Sequence, residues 1–176
     1  MEVQADSLFS EWRSETNLYL AGISNYRRSG NSSINTQSLA VAGEFQFLPY
    51  ARSWHAGLVT EYQFSTDNSF RNNLNVGSYL RFDWNRWDAT TIAVVNKASG
   101  NPVTWFYAER VRYRFAENHK LGIELGGAIR AGDTPTVVLG YYGTISDSIS
   151  LNVAVGPVAG GRQNFSARIE LLWQVR

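Results

Sequence analysis

Apolar and polar residues alternate with a period of two along almost the whole chain from residue 17 onward. In the segment VGSYLRFDWNRWDATTIAV, Leu80 and Phe82 share one face, Arg81 and Asp83 share the other, and the dipeptide NR makes a turn. This alternation is typical of a β-strand with one apolar and one polar face. The segment therefore predicts a β-hairpin, and it leaves open which face is enclosed.

The same period predicts ten β-strands. They cover residues 17–26, 38–48, 54–64, 73–84, 87–96, 105–115, 120–129, 136–145, 149–158 and 164–175. Most of them are about twice as long as the five to six residues usual in soluble sheets. Successive long strands without a helix form an antiparallel meander, and closure removes its edges. We therefore predict an all-β, ten-stranded, up-and-down transmembrane barrel over residues 17–176, after a periplasmic N-terminal segment over residues 1–16.

The connections alternate in length. PYARS, NR, AENHK and SDS are short, whereas the connections between them, such as RRSGNSSINTQS and KASGNPVT, are longer. Because successive strands run in opposite directions, all the short turns lie at one end of the barrel. Short turns at one end and longer loops at the other are typical of barrels that span the bacterial outer membrane.

The polar face of the strands mixes glycine, alanine and serine with charged side chains. Its clear charges are five acidic and five basic: Glu44, Glu61, Arg81, Asp83, Arg110, Arg112, Arg114, Glu124, Arg168 and Glu170. Charges removed from water must be paired. Matched signs beside small residues therefore favour a crowded interior over a solvated exterior, and we predict a charge network in the lumen.

The apolar face carries aromatic residues near both ends of the strands and mostly Leu, Val, Ile, Ala and Gly between them. The residues of these two rings are Phe47, Trp54, Trp84, Trp87, Phe115 and Trp173 near the short turns, and Tyr26, Phe64, Trp105, Tyr107 and Phe165 near the longer loops. Aromatic belts of this kind mark the two interfaces of a bilayer. The alternative is a soluble, lipocalin-like barrel that binds a ligand, in which this face would line the interior.

Composition supports the membrane interpretation. Aromatic residues make up 14% of the chain, and fourteen arginines stand against two lysines. A solvated surface is normally rich in lysine. The formal net charge of +1 gives no basic excess for nucleic acid, the absence of cysteine excludes thiolate chemistry, and no apolar run is long enough for a transmembrane helix.

The last strand, FSARIELLWQVR, has alternating apolar positions and an aromatic residue close to its end. In this, and in its strand pattern from residue 17 to 175, the chain resembles bacterial outer-membrane β-barrel proteins. It departs from their usual pattern by ending in Val175 and Arg176 where a terminal Phe or Trp is common. The resemblance implies a bacterial outer-membrane location, contact with the lipid bilayer and folding by the outer-membrane assembly machinery.

Such barrels serve as narrow pores or as membrane anchors, and the sequence leaves both open. A C-terminal barrel of a surface receptor or of an exopolysaccharide exporter is a further alternative. We predict no enzymatic activity, no cofactor and no metal, because His55 and His119 both lie at the short-turn end and neither has a catalytic serine beside it. His55 is expected in the lumen network and His119 in a solvated turn.

Three arginines on one strand are the strongest chemical feature. With a spacing of two, Arg110, Arg112 and Arg114 all point into the lumen, where they would favour anions or sugar acids. The alternative, which we favour, is that they pair with the lumen carboxylates and fill a narrow barrel. The long-loop end also carries basic residues that could meet the phosphates of lipopolysaccharide: Arg27, Arg28, Arg71, Lys97, Arg130 and Arg162.

Two positions do not fit the pattern cleanly. Glu109 falls on the lipid-facing side of its strand, which predicts either a place near the rim or a shift in register. In the fifth strand two sets of residues compete for the outward face. Because the two-residue turn places Trp84 opposite Trp87, we predict that Ala89, Thr91 and Ala93 face outward.

Overall fold

The computed structural model describes residues 12–29, 31–49, 53–66, 72–129, 135–157 and 165–175. Its regular structure is ten β-strands: β1 (Trp12–Ser29), β2 (Ser32–Pro49), β3 (Trp54–Ser65), β4 (Asn73–Trp84), β5 (Trp87–Ala98), β6 (Thr104–Ala116), β7 (His119–Ala128), β8 (Thr136–Ser146), β9 (Ile149–Pro157) and β10 (Phe165–Val175). The all-β prediction is confirmed. Within these ranges no helix has the length and hydropathy needed to cross a membrane.

Each strand pairs antiparallel with the next, and β1 pairs with β10 to close the barrel. The predicted up-and-down meander is therefore confirmed. Closure gives the backbone groups of the first and last strands partners in each other, from Leu18 opposite Val175 to Arg28 opposite Phe165. A closed ladder is what a sheet needs where no water is present to satisfy its edges.

The β1–β2 hairpin is longer than the sequence predicted. The two strands pair from Trp12 opposite Pro49 to Ser29 opposite Ser32, so the segment interpreted as a loop continues the ladder. The serines, threonines and asparagines of this segment show no alternation of apolar and polar residues. The strands pair through backbone hydrogen bonds, which do not depend on that alternation. Of the separate N-terminal segment predicted over residues 1–16, residues 1–11 lie outside the described residues and residues 12–16 belong to β1.

The apolar faces of the strands form the exterior of the barrel. Leu39 is 58% exposed, Leu58 55% and Leu139 63%, although a soluble ligand-binding barrel would turn such residues inward. Among the described residues, a small apolar cluster of Ala21, Ile23 and Ala40 is buried inside, next to Leu172. The exterior is therefore built for an apolar surrounding, as in membrane barrels.

The β4–β5 hairpin fixes the faces of the fifth strand. Asn85 adopts a positive φ of 54° in the two-residue turn, a conformation that asparagine tolerates well. Trp84 then pairs with Trp87, and Asp88 is buried on the inner side at 2% exposure. As predicted, Thr91 and Ala93 face outward.

Candidate functional site: the barrel lumen

The ten charged residues predicted for the lumen all lie at inward-facing positions of their strands. Asp88 and Lys120, which the prediction left out, join them and turn the balance of five and five into six and six. Asp88 follows from the fifth-strand assignment, because it alternates with the outward-facing Trp87. Lys120 lies on the same face of β7 as Glu124. It is close to the end of the strand, where the sequence pattern does not clearly predict the direction of a side chain.

Near the short turns, Asp88 bridges two neighbouring strands. Its carboxylate accepts hydrogen bonds from Arg112 Nε at 2.6 Å and from Lys120 Nζ at 2.7 Å. The Asp88 side chain is 3% exposed, so the pair is well shielded from water. These charge-assisted bonds tie β5, β6 and β7 together across the barrel wall.

A second ion-paired group lies at the same end. Asp83 accepts from Arg81 Nη2 at 2.8 Å, and His55 Nε2 lies 2.5 Å from its other oxygen. His55 therefore takes the lumen position expected for it. His119 does not match its predicted place in a solvated turn: it begins β7, and its Nδ1 lies 2.8 Å from the hydroxyl of Tyr141.

At mid-height Glu124 lies at the centre of a third group. Arg168 Nη2 donates to both of its oxygens, at 3.1 and 3.0 Å, and the hydroxyl of Tyr142 donates to it as well. The guanidinium groups of Arg110 and Arg112 lie 5.3 and 5.0 Å from the centre of the Tyr142 ring. Both distances are within the range of cation–π attraction.

The remaining lumen carboxylates bind neutral donors. Glu44 accepts from Tyr19 at 3.1 Å, Glu61 from Gln63 at 2.6 Å and from Asn75 at 2.8 Å, and Glu170 from Asn152 at 3.0 Å. Among the described residues Arg110 makes no ion pair, and its buried Nε has no hydrogen-bond partner. The lumen charges are thus paired only in part, and the pairing we expected for Glu44, Glu61 and Glu170 is absent from the described structure.

The lumen contains a series of cavities. The long-loop cavity of about 440 Å³ is lined by Tyr19, Glu44, Glu61 and Asn75, the central cavity of about 300 Å³ by Glu44, Arg81, Arg110, Glu124 and Arg168, and the short-turn cavity of about 400 Å³ by Arg81, Arg110, Arg112, Lys120 and Tyr142. A fourth, the β8 cavity of about 320 Å³, is lined by Asn25, Glu124, Thr136 and Arg168.

Neighbouring cavities share walls. Glu44 lines both the long-loop and the central cavity, and Arg81 and Arg110 line both the central and the short-turn cavity. Glu124 and Arg168 connect the central cavity to the β8 cavity. The described side chains border a row of cavities along the barrel. The filled lumen that we favoured from sequence stays a prediction.

The eleven predicted interface aromatics all lie at outward-facing positions. Those at the short-turn end are joined by Tyr113, whose ring centroid lies 4.9 Å from that of Trp87. His119 also belongs to this belt, because it stacks between Phe115 and Tyr141 at 5.9 Å from each. Sequence parity missed His119 because the β6–β7 turn is one residue pair shorter than expected.

Fold and exterior together define the class of the molecule. A closed antiparallel barrel with an apolar outer surface, an aromatic belt at each end and a charged lumen is an outer-membrane β-barrel. Its surroundings are the lipid bilayer of a bacterial outer membrane.

The basic residues predicted at the long-loop end are described only in part. Arg27, Arg28 and Lys97 are exposed, whereas Arg71, Arg130 and Arg162 lie outside the described residues.

Among solved structures, the fold is similar to that of porins. Neither protein-family models nor curated proteins give a match. Two solved structures of the KdgM porin, one in complex with disordered oligogalacturonate, are similar with TM-scores of 0.55 and 0.57 at 10% and 11% identity, over 92% of this chain and 100% of that chain. The COG4313 outer membrane channel from Pseudomonas putida F1 has a TM-score of 0.44 at 10% identity, over 91% of this chain and 95% of that chain.

Proposed function

We propose that the chain forms a narrow pore across the outer membrane. The observation that carries this proposal is the row of lumen cavities with shared walls, from Asn75 near the longer loops to Lys120 near the short turns. A barrel that only anchored a partner would gain stability by filling these spaces with packed side chains. The polar lining suits a small hydrated solute.

We further propose that the pore prefers anions. Arg81 and Arg110 line the junction between the central and short-turn cavities, and Arg112 and Lys120 line the short-turn cavity. Arg81 is ion-paired with Asp83, and Arg112 and Lys120 share Asp88, whereas Arg110 makes no ion pair among the described residues, so Arg110 is the cation that we expect a passing anion to bind. A solved KdgM porin is described in complex with oligogalacturonate, a chain of sugar acids, which supports sugar acids as the solutes to test here.

The test is conductance in planar lipid bilayers, with the chain folded in detergent and its folding checked by heat-modifiable migration. We expect discrete steps, a reversal potential in a potassium chloride gradient that reports a preference for chloride, and a decrease in current when digalacturonate is added. Maltose, a neutral disaccharide of similar size, is the matched solute and should change the current less. A folded barrel that gives no steps would contradict the pore.

The second candidate is a membrane-anchoring barrel, including the C-terminal barrel of a receptor or exporter. The Asp88 group favours it, because a shielded ion-pair lattice across three strands stiffens the short-turn end of the lumen. Heat-modifiable folding without conductance would support this alternative. Neither candidate uses a catalytic group, and within the described residues no three His, Asp or Glu side chains are placed to hold a metal ion.

A further inference from the structure

Glu109 lies on the outer surface of the barrel, in the middle of the apolar band. It faces outward on β6 between Tyr107 and Val111, opposite Thr91 on β5. The ladder between β6 and β7 keeps its register until Arg114, so no bulge turns Glu109 inward. The shift in register that the sequence allowed for is therefore not present.

The depth of Glu109 follows from its neighbours along the strand. Trp105 and Tyr113, which lie near the two ends of the apolar band, are each four residues away. At about 3.3 Å per residue and a tilt of about 45°, this places Glu109 roughly 9 Å from each ring. The rim position is excluded as well, and the carboxyl group lies at the depth where a lipid-facing charge is least favourable.

In the described structure Glu109 has one polar neighbour. The hydroxyl of Thr91 donates to its Oε2 at 2.5 Å. A carboxyl group has capacity for more hydrogen bonds than this one, and acyl chains offer none. Intramembrane ionisable residues usually face other protein, where such groups find partners. The outer face of β5 and β6 is therefore unlike the rest of the apolar band.

A groove lies directly beside Glu109. It has a volume of about 410 Å³ and is lined by Phe47, Ala56, Leu58, Ser78, Leu80, Thr91 and Ala93. Its floor is small because β5 presents Ala89, Thr91 and Ala93 in succession on its outer face. Between transmembrane helices, small and hydroxyl-bearing residues allow close approach, and the same small side chains leave room for a partner here. On the other side of β5, the larger side chains Tyr107, Glu109 and Val111 of β6 form a ridge.

We propose that this face binds a second copy of the same chain. A two-fold contact requires that one surface carry both a projection and a matching recess, side by side. Here the β6 ridge and the β3–β5 groove are adjacent, with Thr91 between them, so a two-fold axis along the membrane normal near Thr91 places each ridge in the partner's groove.

The depth of Glu109 in the membrane also favours a second copy of the same chain as the partner. Two copies inserted in the same direction bring equal depths of the barrel together, so the mid-depth Glu109 of each copy meets the part of the partner's groove beside Thr91. The Thr91 hydroxyl of each copy already donates its one proton to Glu109 of its own chain. The donor that the contact brings to the partner's Glu109 is therefore the exposed hydroxyl of Ser78, which also lines the groove. The contact thus removes both carboxyl groups from lipid and gives each a further hydroxyl neighbour.

The test uses the absence of cysteine from the chain. A single Thr91→Cys substitution places one thiol near the proposed axis. Mild oxidation of the folded variant in lipid vesicles should give a covalent dimer. Leu171→Cys, on the outer face of β10 and four residues from the short-turn end of its strand as Thr91 is, is the matched control and should stay monomeric. Equal crosslinking at both positions, or none at Thr91, would overturn the proposal.

Two further variants separate association from folding. Ala93→Phe fills the groove and Glu109→Leu removes the carboxyl group, and both should weaken dimerisation by roughly tenfold or more while leaving heat-modifiable folding intact. Sedimentation in detergent gives the mass of each species. A wild-type chain that is monomeric in detergent and in vesicles would refute the second copy, as would crosslinking of the Thr91→Cys variant to an unlike chain in native membranes.

Discussion

The guanidinium group of Arg110 lies 5.3 Å from the ring centre of Tyr142 and has no carboxylate partner among the described residues. The ring holds the cation in place without neutralising it, because a quadrupole attracts a positive charge but carries no net charge itself. Arg110 also lines both the central and the short-turn cavity. Its position links the electrostatics of the lumen to the proposed passage of solutes.

Arg110→Gln should reduce the preference for chloride over potassium. The substitution removes a cation that makes no ion pair among the described residues, so it lowers the positive charge where the central and short-turn cavities share a wall. The reversal potential in a salt gradient measures the effect. Arg114→Gln is the control, because Arg114 shares the strand and the parity but is exposed at the short-turn end. Equal shifts in the two variants would show that Arg110 has no special place in selectivity.

Asp88→Asn should destabilise the barrel by about 3 kcal/mol, since it leaves the buried cations Arg112 and Lys120 without their shared carboxylate. Urea-induced unfolding from lipid vesicles, followed by tryptophan fluorescence, gives the free energy. Glu170→Gln is the matched variant. Because Glu170 accepts from neutral Asn152, its loss should cost less. The ion-pair lattice would have no stabilising role if both changes cost the same.

Gly140→Ala should disturb the lumen through Tyr142. A methyl group at this position would lie 2.7 Å from Cζ of the Tyr142 ring, so the ring has to move away from Glu124. We expect a loss of about 1–3 kcal/mol in the free energy of unfolding, as for other overpacked sites. Gly22→Ala provides the comparison, because no atom lies within 4 Å of its added carbon. The expectation fails if the two alanines behave alike.

Ile123→Arg tests which side of the barrel faces lipid. Ile123 is 54% exposed at mid-depth on the outer face of β7, where an arginine should cost about 2–4 kcal/mol in a bilayer. Asn75→Arg adds the same side chain in the lumen, close to Glu61, and should cost little. Folding yields in vesicles at increasing urea concentrations compare the two. A greater loss for the lumen variant would reverse the assignment of the faces.

The alternation of apolar and polar residues along the sequence was enough to predict most of the fold. Alternation places every side chain on one of two faces, and Trp84 opposite Trp87 across a two-residue turn was enough to orient the ambiguous fifth strand. In the polar segment between β1 and β2, where this alternation is absent, the predicted loop was wrong. The polar residues that extend the β1–β2 ladder gave no signal, because their pairing depends on backbone hydrogen bonds alone.

The alternation of side chains along a strand does not predict which lumen charges pair with each other. Parity shows that Glu44, Glu61 and Arg110 face inward, but the partner of each depends on strand stagger and on the reach of its side chain. Glu44 finds Tyr19 on β1, and Glu61 finds Asn75 on β4. Numerical balance between acids and bases therefore did not translate into pairwise neutralisation.

The unequal pairing has an electrical consequence. Glu44 on β2 and Arg110 on β6 both border the central cavity, and each keeps a charge that no described ion pair cancels. The field between them runs across the barrel, at right angles to the direction of passage. In the proposed pore, that torque would turn a molecule with separated charges sideways, with its negative end toward β6. Such a pore would sort molecules by their dipole as well as by their size.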